Sequence, residues 1–558
     1  MKLTEFTHFY FIGIGGIGMS ALARLFKKLH KTVAGYDKTP SSLTNELIQD
    51  GILVHYEDDI ALIPKPFLNP KTTLIIWTPA IPKEHQELCY FQQNGYTVKK
   101  RAEVLGMISE EYFTIAVAGT HGKTTTASIL AHILHEAGLP VMALLGGISV
   151  NFQSNLLYTR KANEKTILVV EADEYDRSFW QLSPDWAIIT AVEPDHLDIY
   201  GTAHHVEESF KVFAQKINPE NGKIWINEKF KWLLGYENHI KTYGVESGDI
   251  AAKNIKVEDY TIKFDVFVEN HLLLSDVKLS IPGKHNVENA VAAIAVALEL
   301  RVSSDKIIQA LRSYLGVKRR FEYIFKGDKF IYIDDYAHHP TEIRAFIDGV
   351  RMLYPNRKLA IIFQPHLFSR TRDFAEEFAE SLSWADYVYI MDIYPAREKP
   401  IHGVTSKIIY DAVRAPLKTY VHDELQLLNI IRNTDAYVIA TVGAGDIDRF
   451  VPKIAKILTA REIRDLIMEL RNQYQVAQEK ISSCARDINL TLNQLPYHMH
   501  TSTDTDKLAL LHRNKAKIQH AVAYCQDTFL VIDAKIDEID TMIRYCNQVI
   551  QEAMTLVQ

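Results

Sequence analysis

Short apolar runs alternate with amphipathic, helix-like stretches along the first 450 or so residues. HFYFIGI (8–14), LIIWTPAIP (74–82) and FTIAVA (113–118) are examples of such runs, and MSALARLFKKLH (19–30) is a helix-like stretch that follows one. Apolar runs of this length are typical of buried strands in parallel sheets, and their alternation with helices predicts an α/β fold.

The pattern changes from Arg461 onward, where glycine disappears and Pro496 is the single proline. Apolar or small residues now recur at alternating spacings of four and three, which is a heptad pattern. The first seam is Ile463, Ile467, Leu470, Tyr474, Ala477, Ile481, Cys484, Ile488 and Leu492. The second is Ile518, Val522, Cys525, Phe529, Ile532, Ile536, Ile539, Ile543, Cys546 and Ile550.

The two seams predict helices of unequal length, separated by the polar stretch 496–506. One interpretation is an antiparallel, coiled-coil-like hairpin that dimerises or docks another protein, because the longer helix would overhang the shorter one. The other is a compact three-helix unit broken near residues 526–528. A passive extension with no activity of its own is equally compatible with the pattern.

The chain has 558 residues, which exceeds what one hydrophobic core supports. The predicted divisions are 1–108, 109–318, 319–458 and an all-α segment 459–558. Hydrophobic residues at 47% and charged residues at 23% are typical of a folded protein rather than a disordered one.

Charge and cysteine content narrow the classes of partner and compartment. With 62 Lys and Arg against 69 Asp and Glu, the net charge of −7 argues against nucleic acid. Residues 461–558 carry 11 basic and 13 acidic side chains, so they are no polybasic membrane tail. Four cysteines without CxxC spacing, and no run of 18 apolar residues, favour a cytoplasmic protein without membrane insertion.

The first glycine-rich turn has the form GxGxxG between a strand and a helix. Its residues are Gly13, Gly15, Gly16 and Gly18, and Asp37 follows nineteen positions after the last of them. Backbone amides at such a turn bind anions, and an acidic side chain at this spacing can meet a ribose hydroxyl. The motif alone is also compatible with a nicotinamide-dependent oxidoreductase.

A second turn carries a more specific signal for a nucleoside triphosphate. After the strand FTIAVA come Gly119, Thr120, His121, Gly122, Lys123, Thr124 and Thr125, followed by a helix. Backbone amides there would cradle the phosphates of ATP, with Lys123 at the terminal phosphates and the Thr124 hydroxyl on Mg²⁺. Val117 stands where the usual motif has glycine, so this is a shortened variant.

Two further strands end in candidate metal ligands. Glu171 lies at the end of ILVVEA and His196 just past AIITAV. In a parallel sheet both would reach the edge that carries the phosphate loop, where Mg²⁺ favours oxygen ligands. The alternative for His196 is a loop histidine hydrogen-bonded to Asp195 or Asp198.

These motifs form a set that resembles the ATP-dependent Mur ligases of peptidoglycan synthesis. The shared segments are HFYFIGIGGIGMSALA, GTHGKTTT, EADEYDRSF, EPDHLDIYG, PGKHNVENA, DDYAHHPTE, FQPHLFSRTRDF and VGAGDID. The similarity spans residues 6 to 457, and the nearest members join L-alanine to UDP-N-acetylmuramate. It implies a Rossmann-like domain for UDP, a P-loop ATPase-like central domain and a Rossmann-like domain for the amino acid.

The resemblance also implies roles for individual residues. It reassigns the first glycine turn to the UDP-sugar, together with Asp37, Thr78 and His121. It extends the ATP site beyond the phosphate loop to His285, Asn286, Asn289, Arg320 and Asp335. It makes Thr124, Glu171 and His196 the metal-associated residues, and it implies that the site is complete only when the domains close.

The same resemblance places the amino-acid pocket at His338, His366 and Arg370. A guanidinium suits a carboxylate because its planar fork pairs with both oxygens. Leu367 stands where family members often carry a second arginine, which leaves carboxylate recognition to Arg370 or to a residue that the sequence does not identify. Lys211 lies near the carbamylated lysine of other members, although the alanine-adding members are not expected to use one.

The implied reaction is ligation through an acyl phosphate, with Lys123, Glu171, His196, His338 and Arg370 as its catalytic residues. His338 is a candidate base for the alanine amine. A recycling ligase that adds a whole tripeptide to the same sugar is the nearest alternative. A scaffold with a degenerate ligase core is disfavoured by the intact phosphate loop.

Overall fold

The computed structural model describes residues 2–160, 164–193, 200–235, 237–258, 260–396, 398–500 and 505–555. These residues form two compact units. The first comprises Met1–Glu322 with Ala345–Asn356, and the second comprises Tyr323–Arg344 with Arg357–Gln558.

The first unit begins with a five-stranded parallel sheet of order β3-β2-β1-β4-β5. Its strands are β1 (His8–Ile12), β2 (Thr32–Tyr36), β3 (Leu53–His55), β4 (Thr73–Trp77) and β5 (Thr97–Lys100). The helices in this part of the chain are α1 (Ile17–Lys28), α2 (Ser42–Gln49), α3 (Gln86–Gln93) and α4 (Arg101–Ser109). The apolar runs around residues 8–12 and 74–77 are buried strands, as their composition predicted.

Glu87, at the start of α3, is a fully buried carboxyl group that accepts a hydrogen bond of 2.7 Å from the Tyr10 hydroxyl. Burial is the main reason that the pKa of Glu87 is raised to about 8. The folded protein therefore keeps this proton up to about pH 8, whereas the unfolded chain loses it near the ordinary glutamate value. The contribution of Glu87 to the free energy of unfolding is consequently present at low pH and is lost as pH rises toward 8.

We expect Glu87→Gln to flatten the fall in Tm between about pH 5 and pH 8, because the amide has no proton to lose. Calorimetry of the full chain at both pH values measures this. Glu84→Gln, an exposed neighbour, is the matched control and should keep the wild-type pH dependence. Equal slopes for both variants would contradict the assignment.

The second sheet of this unit has ten strands in the order β15-β14-β13-β12-β11-β10-β6-β9-β7-β8. Strands from β13 to β7 pair in parallel, while β7–β8, β13–β14 and β14–β15 are antiparallel. Its strands are β6 (Phe113–Ala118), β7 (Val141–Ser149), β8 (Ser154–Tyr158), β9 (Ile167–Ala172), β10 (Trp186–Ile189), β11 (Lys223–Asn227), β12 (Ile240–Val245), β13 (Ile250–Glu258), β14 (Thr261–Val268) and β15 (His271–Leu279).

Helices α5 (Lys123–Glu136), α6 (Ala203–Ala214), α7 (Lys284–Glu299) and α8 (Ser304–Ser313) accompany this sheet. Helix α5 is buried from Thr124 to Leu134, and it shares a core with α7 and with alternate residues of the central strands. The order of the central strands places the carboxyl ends of β6 and β9 side by side. This adjacency positions the candidate site.

The second unit contains a six-stranded sheet of order β16-β17-β21-β18-β19-β20. The strands are β16 (Glu322–Lys326), β17 (Ile331–Asp335), β18 (Leu359–Phe363), β19 (Tyr387–Ile390), β20 (Leu417–Tyr420) and β21 (Val438–Val442). The accompanying helices are α9 (Pro340–Leu353), α10 (Phe368–Asp373), α11 (Ala375–Leu382), α12 (Lys407–Ala412) and α13 (Glu424–Asn433). The chain therefore has the predicted α/β fold, built on three sheets.

Two long helices, α14 (Val451–His500) and α15 (Thr505–Thr555), pack against each other as a helical hairpin. Helix α15 is continuous through residues 526–528, so the three-helix alternative is wrong. The predicted overhang is also wrong, because the helices have 50 and 51 residues. Helix α14 starts ten residues before the predicted change of character, since Ile454, Ile457 and Leu458 belong to the core of the α/β domain.

The segment that connects the two helices is shorter than the predicted stretch 496–506, because α14 continues through Pro496 to His500. No helix among the described residues is long and apolar enough to cross a lipid bilayer.

Candidate functional site

The phosphate loop connects β6 to α5 in a conformation that only glycine adopts easily. Gly119 has φ +140° and Gly122, at the N-cap of α5, has φ +83°. A Cβ at Gly122 would come 2.5 Å from the Asn289 Oδ1 atom, so this position is closed to any side chain. The turn leaves backbone N–H groups at the helix start without intrahelical acceptors, which is the arrangement that binds phosphate.

The Lys123 ammonium group lies across this loop. Its Nζ donates hydrogen bonds to the Gly119 carbonyl at 2.5 Å and to the Thr120 carbonyl at 3.3 Å. It also forms an ion pair with the Glu174 carboxylate at 2.7 Å. Burial raises the pKa of Glu174, while the attraction of Lys123 acts in the opposite direction.

Glu174 is a functional candidate that the sequence reasoning missed. Its carboxylate is 2% exposed and pairs with the lysine expected to meet the terminal phosphates. A phosphate group at this loop would therefore compete with Glu174 for Lys123. The available signal was the second glutamate of EADE, two residues beyond the end of the apolar strand.

Glu171 and Thr124 come together as the strand order predicted. The Thr124 hydroxyl donates to Glu171 Oε2 at 2.8 Å, and the Gly146 amide donates to Oε1 at 2.5 Å. Arg320 lies close by, with its Nη2 3.5 Å from the Thr124 hydroxyl. Burial raises the pKa of Glu171, opposed by these two hydrogen bonds and by the charges of Arg320 and Lys123.

The Thr124 and Glu171 oxygens fit Mg²⁺, which takes few protein ligands and keeps waters and phosphate oxygens around it. The described part of the chain holds no group of three or more His, Cys, Asp or Glu side chains that could enclose a metal. His196, with Asp195 and Asp198, lies outside the described residues. Lys211 is on α6, where it forms an ion pair with Glu208 at 2.8 Å.

The asparagines of α7 lie behind the phosphate loop. Asn289 accepts a hydrogen bond from the Thr126 hydroxyl at 3.1 Å, and Asn286 donates to the Pro282 carbonyl at 2.5 Å. Both side chains are buried, while His285, directly before Asn286, is exposed. Asn289 links α7 to α5, while Asn286 bonds to the turn that precedes α7, and adenine recognition by the three residues remains a prediction.

The first glycine turn is closed by Asp37, whose Oδ2 accepts a hydrogen bond from the Gly15 amide at 2.7 Å. A Cβ at Gly13 would meet the Thr78 side chain at 2.8 Å, so Thr78 lies directly over the turn. Gly16 is the N-cap of α1. Asp37 is thus a support of the loop, and its contact with ribose remains a prediction.

Arg101, at the start of α4, is a second candidate that the sequence reasoning missed. Its guanidinium lies against Gly18, where an added Cβ would meet it, and its Nη2 is 3.3 Å from the Asp173 carboxylate. A cation next to an amide-rich turn favours an anionic group such as a diphosphate. Arg101 carries no motif of its own, so only the fold brings it to the turn.

The second unit gathers His338, His366 and Arg370 beyond the carboxyl ends of β17 and β18. The rings of His338 and His366 meet edge to face at 6.0 Å. Burial, then the charges of His338 and Arg370, lowers the pKa of His366 to about 4, so this imidazole is neutral near pH 7. Its buried Nδ1 has no hydrogen-bond partner among the described atoms.

Two neighbours shape this cluster. Leu367 has φ +71° at the start of α10, and its amide donates to the Tyr394 carbonyl at 3.0 Å. Tyr394 in turn stacks on His366 at 5.8 Å. Asp335, at the end of β17, accepts a hydrogen bond of 2.8 Å from the Ala337 amide and so shapes the turn before His338. Tyr394 was not predicted from the sequence.

Three family models match the chain in sequence order. They are the Mur ligase family catalytic domain at residues 8–113, the Mur ligase middle domain at 117–297 and the Mur ligase glutamate ligase domain at 319–446. They cover the segments that contain all three sheets. They end before the helical hairpin.

Whole-chain comparisons agree with these models. The chain is 51% identical over 458 residues to UDP-N-acetylmuramate–L-alanine ligase of Flavobacterium johnsoniae, covering 82% of this chain and 99% of that protein. The solved UDP-N-acetylmuramate–alanine ligase of Thermotoga maritima has 28% identity and a TM-score of 0.69, with 81% and 99% of the chains covered. A murein peptide ligase of Psychrobacter arcticus has 25% identity and a TM-score of 0.58, with 80% and 98% covered. On this evidence the chain belongs to the Mur ligase family.

Proposed function

We propose that this protein joins L-alanine to UDP-N-acetylmuramate at the expense of ATP, as a cytoplasmic step of peptidoglycan synthesis. The observation that carries the proposal is 51% identity to a ligase of this name over 99% of that protein's length. The loop that holds Lys123 and Thr124 supports it, because activation of a carboxylate by ATP requires a site for the terminal phosphates.

The chemistry explains why ATP is consumed. A carboxylate resists attack by an amine, since it is anionic and its oxygen is a poor leaving group. In the proposed reaction a carboxylate oxygen of the sugar's lactyl group attacks the γ-phosphorus, the bond to the β-bridging oxygen breaks, and ADP leaves. The neutral amine of L-alanine then attacks the acyl carbon, an amide forms, and phosphate departs with release of one proton.

The phosphate loop contributes electrostatics and positioning to the first step. Lys123 and the amides of the loop would neutralise charge on the transferred and bridging oxygens. Thr124 and Glu171, with His196, would hold Mg²⁺, which when bound supplies positive charge to the same oxygens. Glu174 would hold the Lys123 ammonium in place until a phosphate group takes over that contact.

The second unit would supply the amino-acid pocket. Arg370 is the cation suited to the alanine carboxylate, and the neutral His366 beside it adds no second charge. His338 is the candidate to accept the ammonium proton, because an imidazole titrates near neutral pH.

Removal of the Arg370 guanidinium should raise KM for L-alanine by about 100-fold, because the bidentate pair to the carboxylate is lost. KM for ATP should change less than about twofold. Arg372→Ala is the matched control on the same helix, since Arg372 is exposed and bonded to Asp373. Steady-state kinetics with both substrates varied measures the effect. Equal KM changes in both variants would refute the pocket.

A coupled ADP-release assay with UDP-N-acetylmuramate tests the function. Turnover with L-alanine well above that with glycine, L-serine or the peptidoglycan tripeptide supports the proposal. Preference for the tripeptide would instead favour the recycling ligase. NADH binding without ATP turnover would refute both.

A further inference from the structure

The helical hairpin is fixed to the α/β domain of the second unit by buried polar contacts. The Arg461 guanidinium donates to the carbonyls of Ile431 and Thr434 at 2.7 and 2.8 Å, where α13 ends. The Glu462 carboxylate accepts hydrogen bonds from backbone amides at Asp328, Lys329 and Phe330. Both side chains are less than 9% exposed, so the base of α14 is held firmly.

The apolar stripe of α14 is wider than the surface that α15 covers. Ile467 is buried against Ile539 and Cys546, and Tyr474 packs on the same cluster. Ile463, Leu466 and Leu470, which lie 40–100° around the helix from Ile467, are between 41% and 45% exposed. A stripe of this width is typical of helices in bundles of more than two.

Helix α15 carries a matching exposed stripe. Tyr524, Val531, Met542 and Tyr545 are between 52% and 71% exposed and follow one another at near-heptad spacing. The register of the hairpin follows from the Arg471–Asp540 bond at 2.5 Å and the Gln478–Asp533 bond at 3.1 Å. It places Tyr545 at the level of Leu466, Met542 next to the level of Leu470, and Tyr524 about one helical turn beyond Cys484.

Both stripes lie on the same side of the hairpin. Each helix has a buried stripe that faces the other helix and an exposed stripe beside it. Around the axis of α14, in the sense in which the chain winds from its N-terminus, the exposed stripe comes just before the buried stripe. The same order holds in α15. Because the two helices run antiparallel and show the same order, both exposed stripes lie on the same face of the hairpin. We call it the apolar face, and it comprises Ile463, Leu466, Leu470, Ala477, Cys484, Tyr524, Val531, Met542 and Tyr545.

The charged side chains within the apolar face are Lys535 and Glu538, with Asp527 at its margin. Lys535 Nζ and Glu538 Oε2 are 2.8 Å apart, and both side chains are more than half exposed. They lie at the level of Gln473 on α14, midway along the face. The pair thus separates an apolar patch near the α/β domain from a second patch nearer the tip.

We propose that the apolar face binds the same face of a second copy, with the two hairpins antiparallel in a four-helix bundle. A twofold axis through the level of Lys535 and Glu538 sets each of these charges opposite its counter-ion in the other copy. It also sets the patch near the α/β domain on the partner's patch nearer the tip. A parallel pairing would instead lay both charges on the uncharged stripe of α14, which favours the antiparallel form.

The occupant is a second copy because the face is complementary to itself in both apolar content and charge. The 458 residues aligned with the Flavobacterium johnsoniae ligase leave 100 of the 558 residues unmatched, and the family models end at residue 446. The hairpin is therefore an addition to the ligase, and self-association does not depend on the proposed reaction.

Sedimentation velocity over a range of concentrations tests the assembly. The full-length protein should be a dimer, and Leu470→Glu with Tyr545→Glu should raise its dissociation constant at least about 100-fold. Val476→Glu with Leu490→Glu is the matched control, since both residues are exposed on the hairpin but off the apolar face. Far-UV circular dichroism should show unchanged helix content. A wild-type monomer, or equal loss of dimer in both variants, would overturn the proposal.

Disulfide trapping tests the orientation. In the antiparallel dimer, Ile463 of one copy lies near Cys484 of the other, so oxidised Ile463→Cys should form a covalent dimer. The same variant carrying Cys484→Ser should not. A non-covalent dimer that Ile463→Cys fails to trap would overturn the antiparallel arrangement.

Discussion

Lys123→Ala is expected to lower ATP-dependent turnover by roughly 10³-fold, because the ammonium group on the terminal phosphates is lost. UDP-N-acetylmuramate should still bind within about twofold of its wild-type affinity, since the first glycine turn lies on a different sheet. Coupled ADP release measures the turnover, and calorimetric titration measures the binding of the UDP-sugar.

Lys211→Ala is the control for this prediction. Lys211 is a lysine of the same unit whose ammonium pairs with Glu208 on α6, and this variant should keep wild-type turnover. Turnover of Lys123→Ala near the wild-type level would remove the phosphate loop from the mechanism. Loss of turnover in Lys211→Ala would instead show that Lys211 itself takes part in the reaction.

Glu171→Gln should lower kcat about 100-fold and raise the Mg²⁺ concentration for half-maximal rate at least about tenfold. The amide is close in size to the carboxylate but carries no charge for the metal, and its nitrogen cannot accept one of the two hydrogen bonds that the carboxylate accepts from Thr124 and Gly146. Turnover measured against Mg²⁺ concentration at saturating ATP separates the two effects. An unchanged Mg²⁺ requirement would show that Glu171 supports only the loop and β7, through Thr124 and Gly146.

Local sequence was sufficient to predict the phosphate loop, because the strand, the two glycines and the start of the helix follow one another in the chain. It also predicted that Glu171 would meet Thr124, since the carboxyl ends of neighbouring parallel strands share one edge of a sheet. The same reasoning did not predict a role for Glu174 or Arg101. Their importance lies in contacts with Lys123 and with Gly18. Glu174 lies in the EADE segment, but nothing in that segment shows that its carboxylate meets Lys123, and Arg101 has no distinctive pattern around it.

The hairpin shows the same division between local and tertiary information. Heptad spacing correctly indicated two long helices with apolar seams, and Ile467, Ile536, Ile539, Cys546 and Ile550 are buried as expected. The spacing did not reveal which part of a wide stripe the other helix covers. Ile463 and Leu470 belong to the predicted seam, yet they are exposed because the packing of α14 on α15 is centred beyond them.

By itself, the sequence determined the α/β class, the two glycine turns, the family and the change to a heptad pattern near residue 461. Each of these depends on residues close together in the chain, where spacing fixes hydrogen bonding and the burial of one side. The tertiary structure decided that Lys123 pairs with Glu174, that Asp37 supports Gly15, and that one face of the hairpin stays uncovered. Those features depend on how separate elements pack, and the spacing within any one element does not specify the partner it meets.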